Sequence, residues 1–204
     1  MTAAAFQAAT NVSRETLGRL EAYAALLRKW QEAINLVSRD SLGDLWRRHM
    51  LDSAQLRPLV PDSARILVDL GSGAGFPGLV LAAMGVPEVH LIESDARKCA
   101  FLREVARALE VGVQIHNRRI EDMPSIAADL VTARALAPLA DLLDLAERFL
   151  TPHSICLFLK GKGADGELTR AQESWNMTVT RRPSLSDPSG TILRLEHVHR
   201  DRAS

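Results

Sequence analysis

The chain has 204 residues, 47% of them hydrophobic, and its 25 Lys and Arg residues balance 25 Asp and Glu residues. This length predicts one domain with a sizeable core. The formal net charge of zero argues against a protein that grips naked nucleic acid by bulk electrostatics, although local basic patches are present. Aromatic residues make up 4% of the chain, which disfavours a stacking platform for single strands.

The cysteines and the apolar runs restrict the class of protein further. Cys99 and Cys156 have no partner at metal-ligand spacing, so neither a zinc site nor a disulfide framework is indicated. Charged residues interrupt every long apolar stretch, and residues 1–6 lack the basic and long apolar regions of a secretory signal. We therefore expect a cytoplasmic monomer that binds neither a metal nor a membrane.

The first sixty residues are predicted to be helical after a frayed lead-in over residues 1–12. Apolar residues recur every three or four positions from residue 17 to residue 34, which predicts an amphipathic helix capped by Ser13. A second amphipathic helix is predicted over residues 42–56, and it ends before Pro58.

Two polar residues, His49 and Asp52, lie on the apolar stripe of this second helix. A carboxylate in that position needs a partner, because burying it alone is costly. The two residues therefore form either a pair that fixes the helix to the body of the protein or part of a substrate-facing site, and both interpretations can hold together.

From residue 65 onward, short apolar runs alternate regularly with helical patterns. The predicted strands are 66–70, 89–93, 113–117, 130–133, 155–160, 177–182 and 191–198, and the predicted helices are 78–84, 96–109, 139–150 and 166–174. This alternation indicates an α/β fold with a doubly wound, mostly parallel sheet, and the last two runs predict a hairpin that adds an antiparallel edge. We divide the chain into a helical extension, 1–64, and an α/β core, 65–204, within one compact unit.

A glycine-rich loop follows the first predicted strand and opens a helix. It contains Gly71, and its residues 73–78 match the pattern G-x-G-x-x-G through Gly73, Gly75 and Gly78. Such a loop presents backbone N–H groups and a helix N-terminus to a ligand. Two cofactor classes use this turn, dinucleotides and S-adenosylmethionine, and a purely structural turn is a further possibility.

Three features favour S-adenosylmethionine over a dinucleotide. Asp69 lies directly under the loop, where it would repel a pyrophosphate but attract an aminoacyl ammonium group. About sixty residues precede the first strand, whereas dinucleotide domains often begin with it, and the terminal hairpin is similar to the reversed last strand of methyltransferase sheets. A nicotinamide-dependent oxidoreductase and a non-catalytic S-adenosylmethionine- or nucleotide-binding module remain as alternatives.

Residues after the next two strands complete a candidate cofactor site. Glu93 ends the second strand, where an acid accepts hydrogen bonds from both ribose hydroxyls in either cofactor class. Ile120 and Glu121 follow the third strand, where we expect an apolar contact to an adenine ring and a polar contact to its amino group. A solvated helix start explains Glu121 equally well by residue type alone.

The loop after the fourth strand, residues 132–138, contains Arg134 but neither an Asn/Asp-Pro-Pro-aromatic motif nor a nucleophilic cysteine. Arginine in this place suits an acceptor whose own lone pair attacks without proton removal. Guanine N7 is such an acceptor, and a guanidinium group pairs with guanine O6 or with phosphate. A surface arginine or a salt bridge beside a helix is the plainer interpretation.

The basic residues Lys160 and Lys162 lie on a glycine loop after the fifth strand, where they could hold RNA phosphates or form a solvated turn. His197 and His199 lack a third ligand, so a metal is not expected there.

Several motifs together resemble those of one family. In chain order they are Asn35-Leu36, Arg48-His49 with Asp52-Ser53, the segment from Asp69 to Gly78, Leu91-Ile-Glu-Ser-Asp95 with Lys98, Arg134-Ala135 and Leu159-Lys-Gly161. This pattern covers residues 13–198 and resembles the bacterial ribosomal RNA small subunit methyltransferase G family, also called glucose-inhibited division protein B. The Phe-Pro-Gly end of the glycine loop is much more specific than a general methyltransferase motif.

The resemblance implies a class I S-adenosylmethionine-dependent methyltransferase fold and methyl transfer to N7 of guanine 527 in 16S ribosomal RNA, with S-adenosylhomocysteine as the product. It implies cofactor contacts at Gly71, Phe76, Ile120, Glu121 and Arg134, with Glu93 as the ribose partner, and we expect Arg134 to be catalytic. Arg48, His49, Lys160 and Lys162 match motif positions without an assigned role, and we group them as candidates for binding RNA. With zero net charge, we expect action on a small-subunit ribosomal particle.

Overall fold

The computed structural model describes residues 1–201, which form a seven-stranded mixed sheet covered by helices on both faces. The strands are β1 Ile66–Leu70, β2 Glu88–Glu93, β3 Val113–Asn117, β4 Leu130–Arg134, β5 Ile155–Lys160, β6 Trp175–Pro183 and β7 Thr191–Arg200. Their spatial order is β3-β2-β1-β4-β5-β7-β6. The first five strands pair in parallel, whereas β7 runs antiparallel to both β5 and β6.

The helices alternate with the strands after a helical N-terminal segment. They are α1 Ala3–Thr10, α2 Arg14–Gln31, α3 Arg39–Gly43, α4 Asp52–Ala54, α5 Gly78–Ala83, α6 Ala96–Leu109, α7 Leu139–Ala146 and α8 Ala164–Ala171. None of the helices within residues 1–201 combines the length and the apolar character needed to cross a bilayer. The predicted class I methyltransferase architecture, with its antiparallel last strand, is therefore confirmed by the topology.

The central strands are buried on both faces, which explains why they read as apolar runs rather than alternating patterns. Leu67 of β1 joins a cluster that includes α2, α5 and α6, whereas Val68 and Leu70 point to the opposite cluster with α7 and α8. Each sheet face therefore has its own apolar core.

The N-terminal segment is part of the folded body, and the expected frayed lead-in is wrong. α1 spans Ala3–Thr10, and Phe6 is completely buried with its ring 5.2 Å from that of Trp46. Small alanines hid the helical period in the sequence, because Phe6 is the only large apolar residue that α1 buries. α2 begins after Ser13, whose side chain accepts a hydrogen bond from the Thr16 amide, as the capping pattern predicts.

The second predicted helix is divided into several short pieces. α3 begins after the Ser38 cap, a π-helical segment spans Trp46–Leu51, and the backbone continues into α4 before a 3₁₀ turn at Arg57–Leu59. Wider π-helical turns inside helices are common at functional sites. Here the segment carries Arg48 and His49.

Candidate functional site

A cavity of about 1080 Å³ opens at the carboxyl edge of the parallel strands. The glycine loop after β1 and the loop after β4 lie next to each other there, because β1 and β4 are neighbours at the point where the strand order reverses. Such a switch point is where open α/β sheets bind ligands. Ten of the residues proposed from the sequence line the cavity: Arg48, His49, Gly71, Gly73, Phe76, Glu93, Ile120, Glu121, Arg134 and Lys160. Asp69, Gly75 and Lys162 are not part of its lining.

The glycines of the loop have different structural roles. Gly73 has a φ of +55°, and within residues 1–201 a Cβ placed on it would meet only the Gly71 carbonyl oxygen, at 3.8 Å. Gly75 has a φ of +91°, and a Cβ there would lie 2.5 Å from Leu79 and 2.8 Å from the Tyr23 hydroxyl. Gly73 thus keeps cavity space open, whereas Gly75 allows close packing behind the loop.

Asp69 is completely buried beneath the glycine loop, so the structure does not bring it to the cavity surface. Its Oδ1 atom accepts a hydrogen bond of 2.6 Å from the Thr132 hydroxyl, and its Oδ2 atom has no hydrogen-bond partner among residues 1–201. Burial raises the pKa of this carboxyl to about 6, although the hydrogen bond from Thr132 opposes the shift. At neutral pH, Asp69 therefore places a negative charge under the loop.

Glu93 shapes the loop from the neighbouring strand. Its carboxylate accepts hydrogen bonds from the Gly73 amide at 2.9 Å and from the Asp95 amide at 2.8 Å. Asp95 caps α6, as expected from the sequence. Ile120 is buried and Glu121 is exposed in the short 3₁₀ turn after β3, on the same side of the cavity. The expected adenosine-binding residues thus lie along one wall.

Arg134 is the centre of a largely buried polar cluster. Its Nη1 atom lies 2.8 Å from His49 Nδ1, 3.1 Å from the Arg48 carbonyl oxygen and 3.5 Å from Asp52 Oδ2. The guanidinium carbon lies 5.1 Å from the centre of the Phe76 ring, which is within cation–π range. The interpretation of Arg134 as a surface residue is therefore wrong, whereas the salt bridge beside a helix is present, with Asp52 of α4 as the partner.

His49 is held neutral by its surroundings. Burial first, and then the positive charges of Arg134 and Arg48, lower its pKa to about 3. Since Arg134 donates to Nδ1, the ring proton lies on Nε2, which is 2.9 Å from the Ser41 hydroxyl oxygen. Both ring nitrogens are thus engaged. The direct His49–Asp52 pair considered from the sequence is not formed, and within residues 1–201 both residues hydrogen-bond Arg134 instead.

The two candidate lysines occupy different environments. The Lys160 ammonium lies 2.6 Å from the Ala137 carbonyl oxygen and 2.8 Å from Glu167, and only 8% of its side chain is exposed. It fixes the loop after β4 to α8, so its charge is already paired inside the fold. Lys162 lies on the exposed turn beyond β5.

The loop between β6 and β7 also lines the cavity, and no pattern in the sequence indicated that it would. Ser184, Ser186 and Asp187 of this loop line the cavity, and Asp187 forms an ion pair of 2.7 Å with Arg48. Ser186 donates a hydrogen bond to Asp52. Polar turn residues give no signal of a partner more than 130 positions away. Nor did the sequence single out Tyr23, whose ring stacks on Phe76 and whose hydroxyl donates to the Ala74 carbonyl under the glycine loop.

Comparison with known proteins places the chain in a family. The sequence model of the family described as rRNA small subunit methyltransferase G matches residues 16–190. The chain belongs to this family. The protein named Ribosomal RNA small subunit methyltransferase G of Rhodospirillum centenum is 63% identical over 193 residues, which cover 95% of the present chain and 89% of the relative. The protein of that name from Paramagnetospirillum magneticum is 61% identical over 95% of both chains.

Solved structures agree with the topology. The structure of a ribosomal protein L11 methylase from Lactobacillus delbrueckii superposes with a TM-score of 0.58 and 17% identity, over 72% of this chain and 79% of that one. The Thermus thermophilus 16S rRNA N2 G1207 methyltransferase, solved with AdoMet and guanosine, superposes with a TM-score of 0.54 and 20% identity, over 72% of this chain and 38% of that one. These likenesses confirm the predicted fold, and family membership confirms the predicted enzyme class, an rRNA methyltransferase.

Proposed function

We propose that the protein transfers a methyl group from S-adenosylmethionine to N7 of guanine 527 in 16S ribosomal RNA, with S-adenosylhomocysteine as the second product. We further propose that it acts in the cytoplasm, as a monomer without a metal, on a small-subunit particle. Membership of the family supports the rRNA substrate class and the cofactor. It does not favour the alternatives of a nicotinamide-dependent oxidoreductase or a non-catalytic binding module.

The cavity walls fit the proposed cofactor. Gly71, Gly73 and Phe76 line the cavity, and Gly73 leaves open space there for the aminoacyl part of the cofactor, whereas a Cβ at Gly71 would meet the Leu136 side chain at 2.6 Å. Glu93 is the proposed ribose partner, and Ile120 with Glu121 is the proposed adenine contact. Asp69 stays below the loop, where its buried charge complements a cationic ligand at neutral pH. Gly75 supports the same loop by packing rather than by lining the cavity.

The Arg134 cluster is the observation that supports guanine N7 as the atom that accepts the methyl group. When bound, S-adenosylmethionine would supply an electrophilic methyl carbon on a sulfonium: in-line attack by the N7 lone pair would form the N7–methyl bond, break the sulfur–methyl bond and release neutral S-adenosylhomocysteine, with no proton lost. The protein therefore needs to position and orient the acceptor rather than to deprotonate it. His49 has both ring nitrogens engaged and so does not serve as a general base, which agrees with this chemistry. Arg134 is fixed by His49 and Asp52 with its guanidinium at the cavity, where we propose that it binds guanine O6 or a phosphate.

The candidate RNA-binding residues differ in how far their polar atoms are already engaged within the fold. Arg48 keeps 40% of its side chain exposed beside the cavity while it pairs with Asp187, and we propose that it contacts the RNA backbone. Lys162 is available for the same role. We assign Lys160 and His49 to orienting neighbouring groups rather than to direct phosphate contacts, because the polar atoms of both are already engaged within the fold.

The proposal is tested with ribosomal material from cells that lack the protein. Naked 16S RNA, small subunits and intact ribosomes are each incubated with S-adenosylmethionine labelled in the methyl group, and the RNA is digested to nucleosides. We expect label in 7-methylguanosine, with small subunits as the best substrate. Label in N6-methyladenosine or 5-methylcytidine would contradict the N7 assignment, and tighter binding of NADH than of S-adenosylhomocysteine would favour the oxidoreductase.

Replacement of Arg134 by Ala tests the central residue in the same assay. We expect a loss of at least about a hundredfold in kcat/KM, because removing one preorganised charged donor that acts on the reacting group costs about 3 kcal/mol. Arg170→Ala is the matched control, since Arg170 is exposed on α8 and does not line the cavity. Full activity of Arg134→Ala would contradict a catalytic role and would show that Arg134 is needed only for structure.

A further inference from the structure

Leu185 is the most exposed large hydrophobic residue within residues 1–201, with 69% of its surface accessible. It lies in the loop between β6 and β7, and its neighbours Ser184 and Ser186 both line the cavity. A second exposed leucine, Leu136, lines the same cavity. Single exposed leucines are ordinary on protein surfaces. Leu185 lies between two residues that line the cavity and Leu136 lines the cavity itself, so both leucines are placed to contact an apolar part of a ligand that enters there.

Hydrogen bonds to the body of the protein hold the backbone of the loop around Leu185. Its backbone amide donates a 2.7 Å hydrogen bond to Gln55 Oε1, and Gln55 Nε2 in turn donates to the Ser184 hydroxyl at 3.1 Å. On the other side of the leucine, Ser186 donates to Asp52, and its carbonyl oxygen accepts from Arg47. The backbone is thus held on both sides of the exposed side chain. Contact with a partner would order few additional groups, which lowers its entropic cost.

The surroundings of Leu185 indicate the chemistry of its partner. Arg47 and Arg48 keep 43% and 40% of their side chains exposed while they pair with Asp44 and Asp187. Arg182, at the end of β6, is exposed as well. Guanidinium groups bind phosphates and fix the register of a nucleic acid. An aliphatic side chain offers no hydrogen bond to a base edge but fits between stacked base faces, as the apolar wedges of other nucleic-acid-binding proteins do.

We propose that Leu185 inserts into the RNA stack beside the target guanine and fills the space that the guanine leaves when it turns into the cavity. An enzyme that acts on a base must unstack that base, and an apolar wedge lowers the free energy of the unstacked state. Leu185 is then a positioning residue: it stabilises the extruded guanine and takes no part in the methyl transfer itself. This inference rests on the proposed function and adds to it the residue, Leu185, that takes the place of the guanine in the stack of RNA bases.

The test compares Leu185→Ala and Leu185→Met with the unchanged protein on small subunits from cells that lack it. We expect Leu185→Ala to lower kcat at least about tenfold with KM within about twofold, because extrusion takes place inside the bound complex. Leu185→Met should recover most of the rate, since it keeps the apolar volume. The affinity for S-adenosylhomocysteine and the melting temperature should stay unchanged in both variants, because the side chain is exposed. Asn176→Ala, at the opposite end of the hairpin, is the control.

Unchanged kcat in Leu185→Ala would overturn the inference while leaving the proposed function intact. A rise in KM alone would also overturn it, since that result means that Leu185 docks on RNA or on a ribosomal protein without opening the stack. Loss of activity together with a lower melting temperature, unrelieved by Leu185→Met, would assign the leucine to folding. Absence of 7-methylguanosine with the unchanged protein would refute the proposed function, and the inference with it.

Discussion

At the scale of single residues, the site is a set of polar groups that hold one another in fixed protonation states. Arg134 is a cation removed from most of the solvent, and burial lowers its pKa while Asp52 opposes that shift. His49 accepts a hydrogen bond from the guanidinium and therefore has to be neutral. The stability of the fold is thus linked to pH through the side chains that build the cavity.

His49 and Asp69 are expected to give opposite pH dependences of stability. Asp69 has a pKa of about 6 in the fold against 3.8 in the reference state, so the folded chain holds its proton more tightly and loses stability as pH rises from 4 to 6. His49 has a pKa of about 3 against 6.5, so the unfolded chain takes up the proton first and stability is lost as pH falls below 6.5. Each contribution changes by at most about 1.4 kcal/mol per pH unit.

Urea unfolding of Asp69→Asn and His49→Gln at pH 4, 5 and 6 measures these contributions. Relative to the unchanged protein, Asp69→Asn should gain stability as pH rises, and His49→Gln should gain stability as pH falls. Glu21→Gln, at an exposed position of α2, should run parallel to the unchanged protein. Parallel curves for all three variants would contradict the assigned protonation states.

At the scale of elements, the glycine loop has two roles: it leaves space in the cavity for a ligand, and it packs closely against the body of the protein. Gly73→Ala should lower the free energy of unfolding by about 1–2 kcal/mol through its positive φ, and should weaken binding of S-adenosylhomocysteine because its Cβ would enter the cavity. Gly75→Ala should cost at least about 3 kcal/mol, since its Cβ would overlap Leu79 and Tyr23 as well. Urea unfolding and calorimetric titration separate the two effects.

Gly166→Ala is the control for both substitutions. A Cβ at Gly166 meets nothing within 4 Å in the described part of the chain, and alanine in the helix α8 should stabilise by about 1 kcal/mol. Equal losses of stability and of ligand affinity in Gly73→Ala and Gly75→Ala would show that the loop acts as one unit, contrary to the separate roles assigned here.

The first helix, α1, is also expected to contribute measurably to stability. Phe6→Ala should lower the free energy of unfolding by about 3–5 kcal/mol, because it removes a completely buried ring that packs against Trp46. Ala8→Ser, at an exposed position of α1, should cost less than about 1 kcal/mol. Urea unfolding measures both, and equal small losses would mean that α1 is dispensable for stability.

At the scale of the whole molecule, we propose that the helical extension 1–64 and the core 65–204 fold as one unit. α2 lies against α6, where the Trp30 ring is 5.8 Å from Phe101 and its indole N–H donates to Glu104 at 2.9 Å. The aromatic stack of Tyr23 on Phe76 extends this contact to the glycine loop. Removal of the extension would thus uncover apolar surface on the core and remove support from the cavity.

The fragment 65–204 is therefore expected not to fold to the native core. It should bind the dye ANS and lose the sharp thermal transition of the whole chain, as partly packed states do. Circular dichroism melting with ANS fluorescence makes the comparison, with the whole chain as control. A sharp transition of 65–204 near the melting temperature of the whole chain would show that the core folds independently.

The sequence by itself determined the local architecture of this protein. Apolar runs and helical periods predicted β1, β3 and β5 to the residue, and α6 likewise, because each pattern needs only neighbouring residues. The glycine loop and the acid at the end of β2 were assigned to one candidate cofactor site, and both line the cavity because the carboxyl ends of parallel strands meet at the same edge of the sheet. Helix α1 was not predicted, because its alanines make the buried and exposed positions of the helix look alike in the sequence.

Only the tertiary structure decided which charged groups are free and which are already paired. Arg134 meets His49 and Asp52 across more than 80 positions of sequence, Lys160 is neutralised by Glu167, and Asp187 reaches Arg48 from the last hairpin. Such pairs depend on how separate elements pack, and the type of a residue does not predict which distant residue will be its partner. The glycine loop therefore indicated where a ligand binds, and the fold determined which side chains remain available to bind it.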